Sequence, residues 1–170
     1  MYTVNQLEKY ASKFLKDNYQ LEMSIPLELN GRMKRTCGWF KSLRFKDGRT
    51  PIALKIELNK FFVENNEPVA VLDVLRHELV HYALFQQGKP NTDGHPVFEG
   101  ELRRLGIVSQ STINKYEIKS KPVRKSVYQC ATESCGRTYE TARALSNGGR
   151  YHSCKCGGSL INKGKKVVSK

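Results

Sequence analysis

His77-Glu78-Leu79-Val80-His81 puts two imidazoles and a carboxylate within five residues. On a helix, residues four apart stand one turn above the other on a single face. His77 and His81 can therefore bind one metal ion. Glu78 leans toward the same metal and can hold a water bound to it. Zinc brings the pKa of that water near neutral, and the carboxylate takes its proton. Two histidines alone indicate a metal site, whereas two histidines with this glutamate indicate hydrolysis of an amide bond. The flanks Leu72, Val74, Leu75, Leu79, Val80, Ala83, Leu84 and Phe85 are strongly apolar, and Gly88-Lys89-Pro90 is a stop signal just past them. Polar groups on a buried helix need partners, and a metal supplies one.

A catalytic zinc needs a third protein ligand and an open position. His95 follows in the loop Asp93-Gly94-His95-Pro96, and Glu99 and Glu101 lie in the helix that Pro96 opens. The residue types leave all three open.

A second constellation lies near the C-terminus. Cys130-x4-Cys135 and Cys154-x-Cys156 form two pairs, followed by Gly136 and by Gly157-Gly158. Glycine after each pair lets the backbone turn and offer amides to sulfur. Four clustered cysteines read as a structural zinc site of ribbon type, and so small a segment would take its stability from the metal. The spacing departs from the usual two intervening residues, and His152 is an alternative ligand to Cys154. Cys37 stands alone and reads as a packed thiol.

Charge separates the two regions. Residues 1–102 hold 14 Lys+Arg and 13 Asp+Glu, whereas residues 103–170 hold 15 and 3, so nearly all of the net +13 follows the first site. Such a basic module is an electrostatic footprint for nucleic acid. Arg137, Arg143, Arg150 and Lys155 are the candidate contacts, interleaved with Tyr128, Tyr139 and Tyr151. That composition suits phosphate contact and base stacking without strong sequence choice, although Tyr128 and Tyr139 read first as the small core of the module.

The elements that position these residues follow from pattern. Thr3 caps an amphipathic helix over 3–18, and Asn30-Gly31 marks a possible turn between strand-like stretches. Lys46-Asp47-Gly48-Arg49 marks another turn, and Pro51–Leu58 alternates as a half-buried strand. Asn66-Glu67-Pro68 opens the motif helix, and His95-Pro96 opens a shorter one that Gly106 ends. The chain divides into a metallopeptidase-type domain over 1–108, a linker over 109–124, the cysteine module over 125–162 and a disordered tail over 163–170. It has no stretch of about 18 apolar residues and no signal-peptide pattern. The expectation is a cytoplasmic protein without a membrane partner, its cysteines metal ligands or core residues in place of disulfides.

His77-Glu78-Leu79-Val80-His81-Tyr82, together with Asp93-Gly94-His95-Pro96-Val97-Phe98-Glu99, resembles the SprT-like family, which is related to the Spartan DNA–protein crosslink protease. Asn30-Gly31-Arg32, Thr36-Cys37-Gly38 and the strand Pro51–Leu58 share the likeness. The resemblance implies an α+β fold, a small zincin domain with a short antiparallel sheet, joined to a zinc-ribbon-like β module. It implies His95 as third ligand, with Glu99 or Glu101 as supporting groups. It also implies that Ile52–Leu58 is the edge strand on which extended substrate pairs. The expected function is a zinc metalloendopeptidase with Glu78 as base, two bound Zn2+ ions, and DNA-associated proteins as substrates. The competing expectation is a nucleic-acid-binding regulatory zinc protein whose protease site is unused. Tyr82, Tyr116 and Arg103 are candidates for stabilising the transition state.

Overall fold

The computed structural model describes residues 2–118, 123–150 and 152–168. The chain divides into two compact units, Met1–Lys119 and Ser120–Lys170.

In the first unit, helix α1 (Val4–Tyr19) starts where the capping chemistry requires. The Thr3 side chain accepts from the Gln6 amide while the Gln6 side chain accepts from the Thr3 amide. Leu7, Ala11 and Leu15 form its fully buried stripe. Three strands follow, β1 (Leu27–Asn30), β2 (Gly38–Leu43) and β3 (Ile52–Asn59), in the order β1-β3-β2. β2 and β3 are an antiparallel hairpin across the Lys46–Arg49 turn, but β1 runs parallel to β3. The sheet is therefore mixed, where a purely antiparallel one was expected.

Asn30-Gly31 is not a hairpin turn, because β1 and β2 lie on opposite sides of β3. The chain crosses between them through residues 31–37, and Asn59 holds that crossing in place. Its side chain donates to the Met33 and Thr36 carbonyls, at 3.0 and 3.1 Å, and its amide donates to Cys37 O at 2.7 Å. The same side chain caps α2 (Lys60–Asn65) by accepting from the Phe61 and Phe62 amides. A wholly buried asparagine is tolerated here because each of its polar atoms is satisfied.

β3 departs from the expected alternation. Ile52 and Leu54 are exposed, while Ile56 to Asn59 are buried on both faces. The second half of the strand is sandwiched between neighbours on either edge and the long helix α3 (Pro68–Gln86). α3 buries residues all round, as expected of a helix apolar on every side. Helix α4 (Pro96–Leu105) packs Phe98 and Leu102 against Val80 and Leu84 of α3, and Gly106 closes it in the left-handed region. The short helix α5 (Gln110–Ile113) buries Ile113 in the main core, so much of the expected linker belongs to this unit. Residues 119–122 lie outside the described ones.

The second unit is a three-stranded antiparallel sheet, β5-β4-β6, of β4 (Val123–Cys130), β5 (Thr138–Thr141) and β6 (Leu160–Val168). β6 runs on from the module into residues 163–168, expected to belong to a disordered tail, and pairs along β4 from Cys130↔Leu160 to Val123↔Val168. Tyr128 is its fully buried aromatic, and its hydroxyl accepts from the Leu145 amide at 2.9 Å. Tyr151, Ser169 and Lys170 fall outside the described residues. Among those described, no helix is long and apolar enough to cross a membrane.

Candidate metal centre and active-site cleft

α3 carries His77, Glu78 and His81 as the sequence requires. His77 Nδ1 faces Val108 O at 3.1 Å and His81 Nδ1 faces Asn91 O at 2.6 Å. A carbonyl oxygen only accepts, so each Nδ1 carries a proton, and a neutral ring would present its Nε2 lone pair. Outer-shell partners of this kind fix the tautomer of metal-binding histidines. The His81 ring also stacks on Phe98, with centroids 4.1 Å apart.

Both Nε2 atoms converge on one carboxylate. Asp93 Oδ1 lies 3.0 Å from His77 Nε2 and 3.5 Å from His81 Nε2. Lone pairs facing a carboxylate need a cation among them, whether protons or a metal. Tetrahedral zinc with bonds of about 2.0–2.1 Å spaces its ligand atoms roughly 3.3 Å apart, and these separations match that spacing. Burial raises the Asp93 carboxyl, but hydrogen bonds from His77 and His81 outweigh it and hold the group well below the usual carboxylate range. Burial lowers His81, but Asp93, Glu78 and the Asn91 carbonyl outweigh that and raise it.

The expected third ligand, His95, is not brought to this cluster. Among the described residues the group close enough to share an ion is His77, His81 and Asp93. His95 is exposed at the start of α4, where its Nδ1 accepts from the Val97 amide at 3.2 Å. The ring is engaged in capping the helix, and the turn before it directs the exposed Asp93 at the two imidazoles instead. Glu99 accepts from the Gly94 amide and so braces the same turn. Glu101 is occupied by Arg104 at 2.6 Å. In the sequence Asp93 reads as part of a loop, and the signal that singles it out is its acidity beside the two imidazoles.

Glu78 faces the sheet. Its Oε2 accepts from the Phe40 amide of β2 at 2.7 Å. Burial dominates its ionisation and raises its carboxyl above the ordinary range, against the lowering effect of the nearby histidines and the Phe40 amide. Gly38 makes room for it, since a Cβ there would lie 2.8 Å from Glu78 Oε1 and 2.7 Å from Val74 Cγ1. Gly38→Ala is therefore expected to displace the carboxylate and lower any Glu78-dependent activity at least tenfold. Circular dichroism should show the fold retained, because the backbone at Gly38 is ordinary strand.

Glu78, His81 and Asp93 wall a cleft of about 350 Å³, lined also by Trp39, Ser42, Arg44, Asn91 and Gln110. Arg44 is anchored by Asn91 Oδ1 at 3.1 Å. β3 is the middle strand, with Ile56–Asn59 paired to β1 and β2 on its two sides, and the strand that lines the cleft is β2, in place of the expected Ile52–Leu58. Tyr82 and Tyr116 are engaged elsewhere, with Ser24 and with Asp73, and Arg103 is exposed on α4.

In the second unit, Cys130, Cys135, Cys154 and Cys156 form one cluster. The Cys130–Cys156 and Cys135–Cys154 sulfurs are each 3.5 Å apart. A disulfide would need about 2.05 Å, whereas four sulfurs about 2.3 Å from a tetrahedral zinc stand roughly 3.8 Å apart. His152 is not in the cluster, and Cys154 is. The Cys156 amide and the Tyr139 hydroxyl pull the Cys154 thiol down to about 6. The Arg137 amide lowers Cys135, but the sulfurs of Cys156 and Cys154 outweigh it and push that thiol up to about 11. Four thiolates share this space only around a cation. Gly158 closes the site, since a Cβ there would meet Cys130 Sγ at 2.9 Å and collide with Thr132 Oγ1. Arg137, Arg143, Arg150 and Lys155 are all exposed on this unit.

The family model for SprT-like proteins matches residues 4–120, which takes in the whole of the His/Asp centre. The chain belongs to the SprT-like family. This SprT-like protein is 28% identical over 149 residues to "Protein SprT-like" of Bacillus velezensis, covering 85% of this chain and 97% of that one. It is 29% identical over 131 residues to the Streptococcus thermophilus protein of the same name, covering 76% and 85%. With the Streptococcus mutans counterpart it shares 27% over 154 residues, covering 91% and 94%. Both candidate metal centres of the SprT-like protein thus lie on a chain that matches such relatives over most of its length.

Proposed function

We propose that this SprT-like protein is a zinc-dependent metallopeptidase acting on proteins associated with DNA, with the basic cysteine module as its nucleic-acid anchor. The observation that carries the reading is the convergence of two imidazole Nε2 atoms on one point beside a buried carboxylate, at the wall of an open cleft. A protein that only bound nucleic acid would gain nothing from burying Glu78 there. His77 and His81 would hold the ion, and Cys130, Cys135, Cys154 and Cys156 would hold a second, structural one. Bound zinc supplies Lewis acidity at the first site, polarising a carbonyl and acidifying water.

The chain's own groups do the rest. The Phe40 amide fixes one oxygen of Glu78 and leaves the other for the proton of the attacking water. Glu78 then returns that proton to the leaving amine. The β2 edge at the cleft is where extended substrate can pair as an added strand. Arg137, Arg143, Arg150 and Lys155 would contact phosphates. The test is zinc dependence: the zinc-loaded chain should cleave an unfolded protein, lose that activity to a chelator and regain it with added zinc. Cleavage that ignores the chelator contradicts the reading.

The third ligand comes from the turn between Asn91 and His95. The nearness of Asp93 to both imidazoles favours Asp93, and the family resemblance implies His95. Asp93→Ala and His95→Ala separate the two. The variant lacking the ligand should lose more than about a hundredfold in zinc affinity at this site, and the other no more than the roughly 10–100-fold of an outer-shell partner. The larger loss in His95→Ala would mean that Asp93 yields its place when metal binds.

A further inference from the structure

Trp39 is the single tryptophan of the chain, and it is 56% exposed. On β2 its neighbour Phe40 turns into the core, so Trp39 and Lys41 both project from the face opposite Phe40. Lys41 Nζ sits 5.0 Å from the indole centroid and is also paired with Glu57 at 2.8 Å. A large aromatic left in solvent forgoes substantial burial energy. Its surroundings show what it faces.

A groove of about 390 Å³ opens beside the ring, lined by Arg32, Lys34 and Arg35. All three are exposed, and none forms a salt bridge among the described residues. Glu57, the one acid lining the groove, is neutralised by Lys41 and Lys55, each at 2.8 Å. Residues 29–46 hold six Lys+Arg and no Asp or Glu, although residues 1–102 as a whole are close to neutral. Thr36 and Trp39 line both this groove and the cleft of Glu78, so the two are adjacent.

Unpaired cations beside an exposed flat ring are the elements of single-strand nucleic-acid binding, in which bases stack on aromatics and phosphates meet Lys and Arg. A duplex keeps its bases stacked on one another and offers none to the indole. An acidic peptide would satisfy the cations and leave the ring uncovered. We propose that the groove between Arg32–Arg35 and Trp39 binds single-stranded nucleic acid, with one base stacked on the Trp39 indole and adjacent phosphates on Arg32, Lys34 and Arg35. This site is built from residues of the first unit alone, and it places a nucleic-acid strand at the rim of the cleft. It extends the reading that the protein works on DNA, and it is tested apart from that reading.

Because Trp39 is the only tryptophan, indole fluorescence reports on this groove alone. Full-length zinc-loaded protein titrated with oligo-dT should show saturable quenching, with a half-point that rises with salt. Trp39→Leu should weaken oligo-dT binding, read by anisotropy, about fivefold or more. Replacing Arg32, Lys34 and Arg35 together with alanine should move the quenching half-point at least tenfold while the thermal melt stays unchanged. Replacing Arg137, Arg143, Arg150 and Lys155 instead should leave the quenching in place. Oligo-dT that binds by anisotropy without changing the indole emission overturns the proposal and leaves the cysteine module as the anchor. Equal quenching by poly-glutamate overturns it as well, since the groove would then take any polyanion. An absence of oligo-dT binding by either readout overturns both readings together.

Discussion

Glu78→Gln is expected to leave the zinc content of the protein unchanged and to lower peptide cleavage by about 10²–10⁴-fold, the range of general-base catalysis. The amide has the shape of the carboxylate, and its oxygen can still accept from the Phe40 amide. His77 and His81 keep their carbonyl partners at Val108 and Asn91, so the ion-binding nitrogens stay aimed. What disappears is basicity at the one buried carboxylate on the cleft wall. Burial opposes the charge of Glu78, so removing that charge should not lower the thermal stability of the metal-free chain. Loss of zinc together with activity would instead make Glu78 a ligand.

Cys154→Ser has the second large effect, on structure. Among the described residues of the second unit, the buried apolar side chains are Tyr128, Cys130 and Cys154. Such a core cannot offset the ordering of roughly forty residues. Structural zinc contributes about 10–16 kcal/mol in small sites of this kind, and the four sulfurs are already arranged around one point. Cys154→Ser should lower zinc content from two ions per chain to one. It should also abolish slow amide exchange along β4 and β6 while exchange in α3 is unaffected. A module that stays protected with one zinc per chain would show that pairing of its strands suffices without the metal.

Local chemistry was legible in the sequence, and long-range pairing was not. Thr3 and Gln6, the apolar run about His77–His81, Gly106 and the two cysteine pairs each announce themselves through neighbouring residues. The position of β3 does not, because alternation says which residues face inward and nothing of which strands flank them. Asn59 looks like an ordinary polar residue, yet its hydrogen bonds hold the crossing between β1 and β2. Most of β6, from Lys163 onward, is rich in lysine and reads as a tail, since its partner is the backbone of β4 and it buries little. At the metal centre, His77 and His81 follow from helical spacing. The placement of Asp93 and His95 depends on a turn whose direction is set by the Gly94 conformation and the capping of α4.

The central claim is peptide-bond hydrolysis at the α3 centre directed at proteins on DNA. The measurement that meets it most directly is cleavage of a protein covalently attached to single-stranded DNA, with new termini identified by mass spectrometry. Zinc-loaded protein is predicted to generate new termini on the attached protein and to cleave the same protein more slowly when it is free. Intact substrate after incubation with protein carrying two zinc ions per chain would contradict the account.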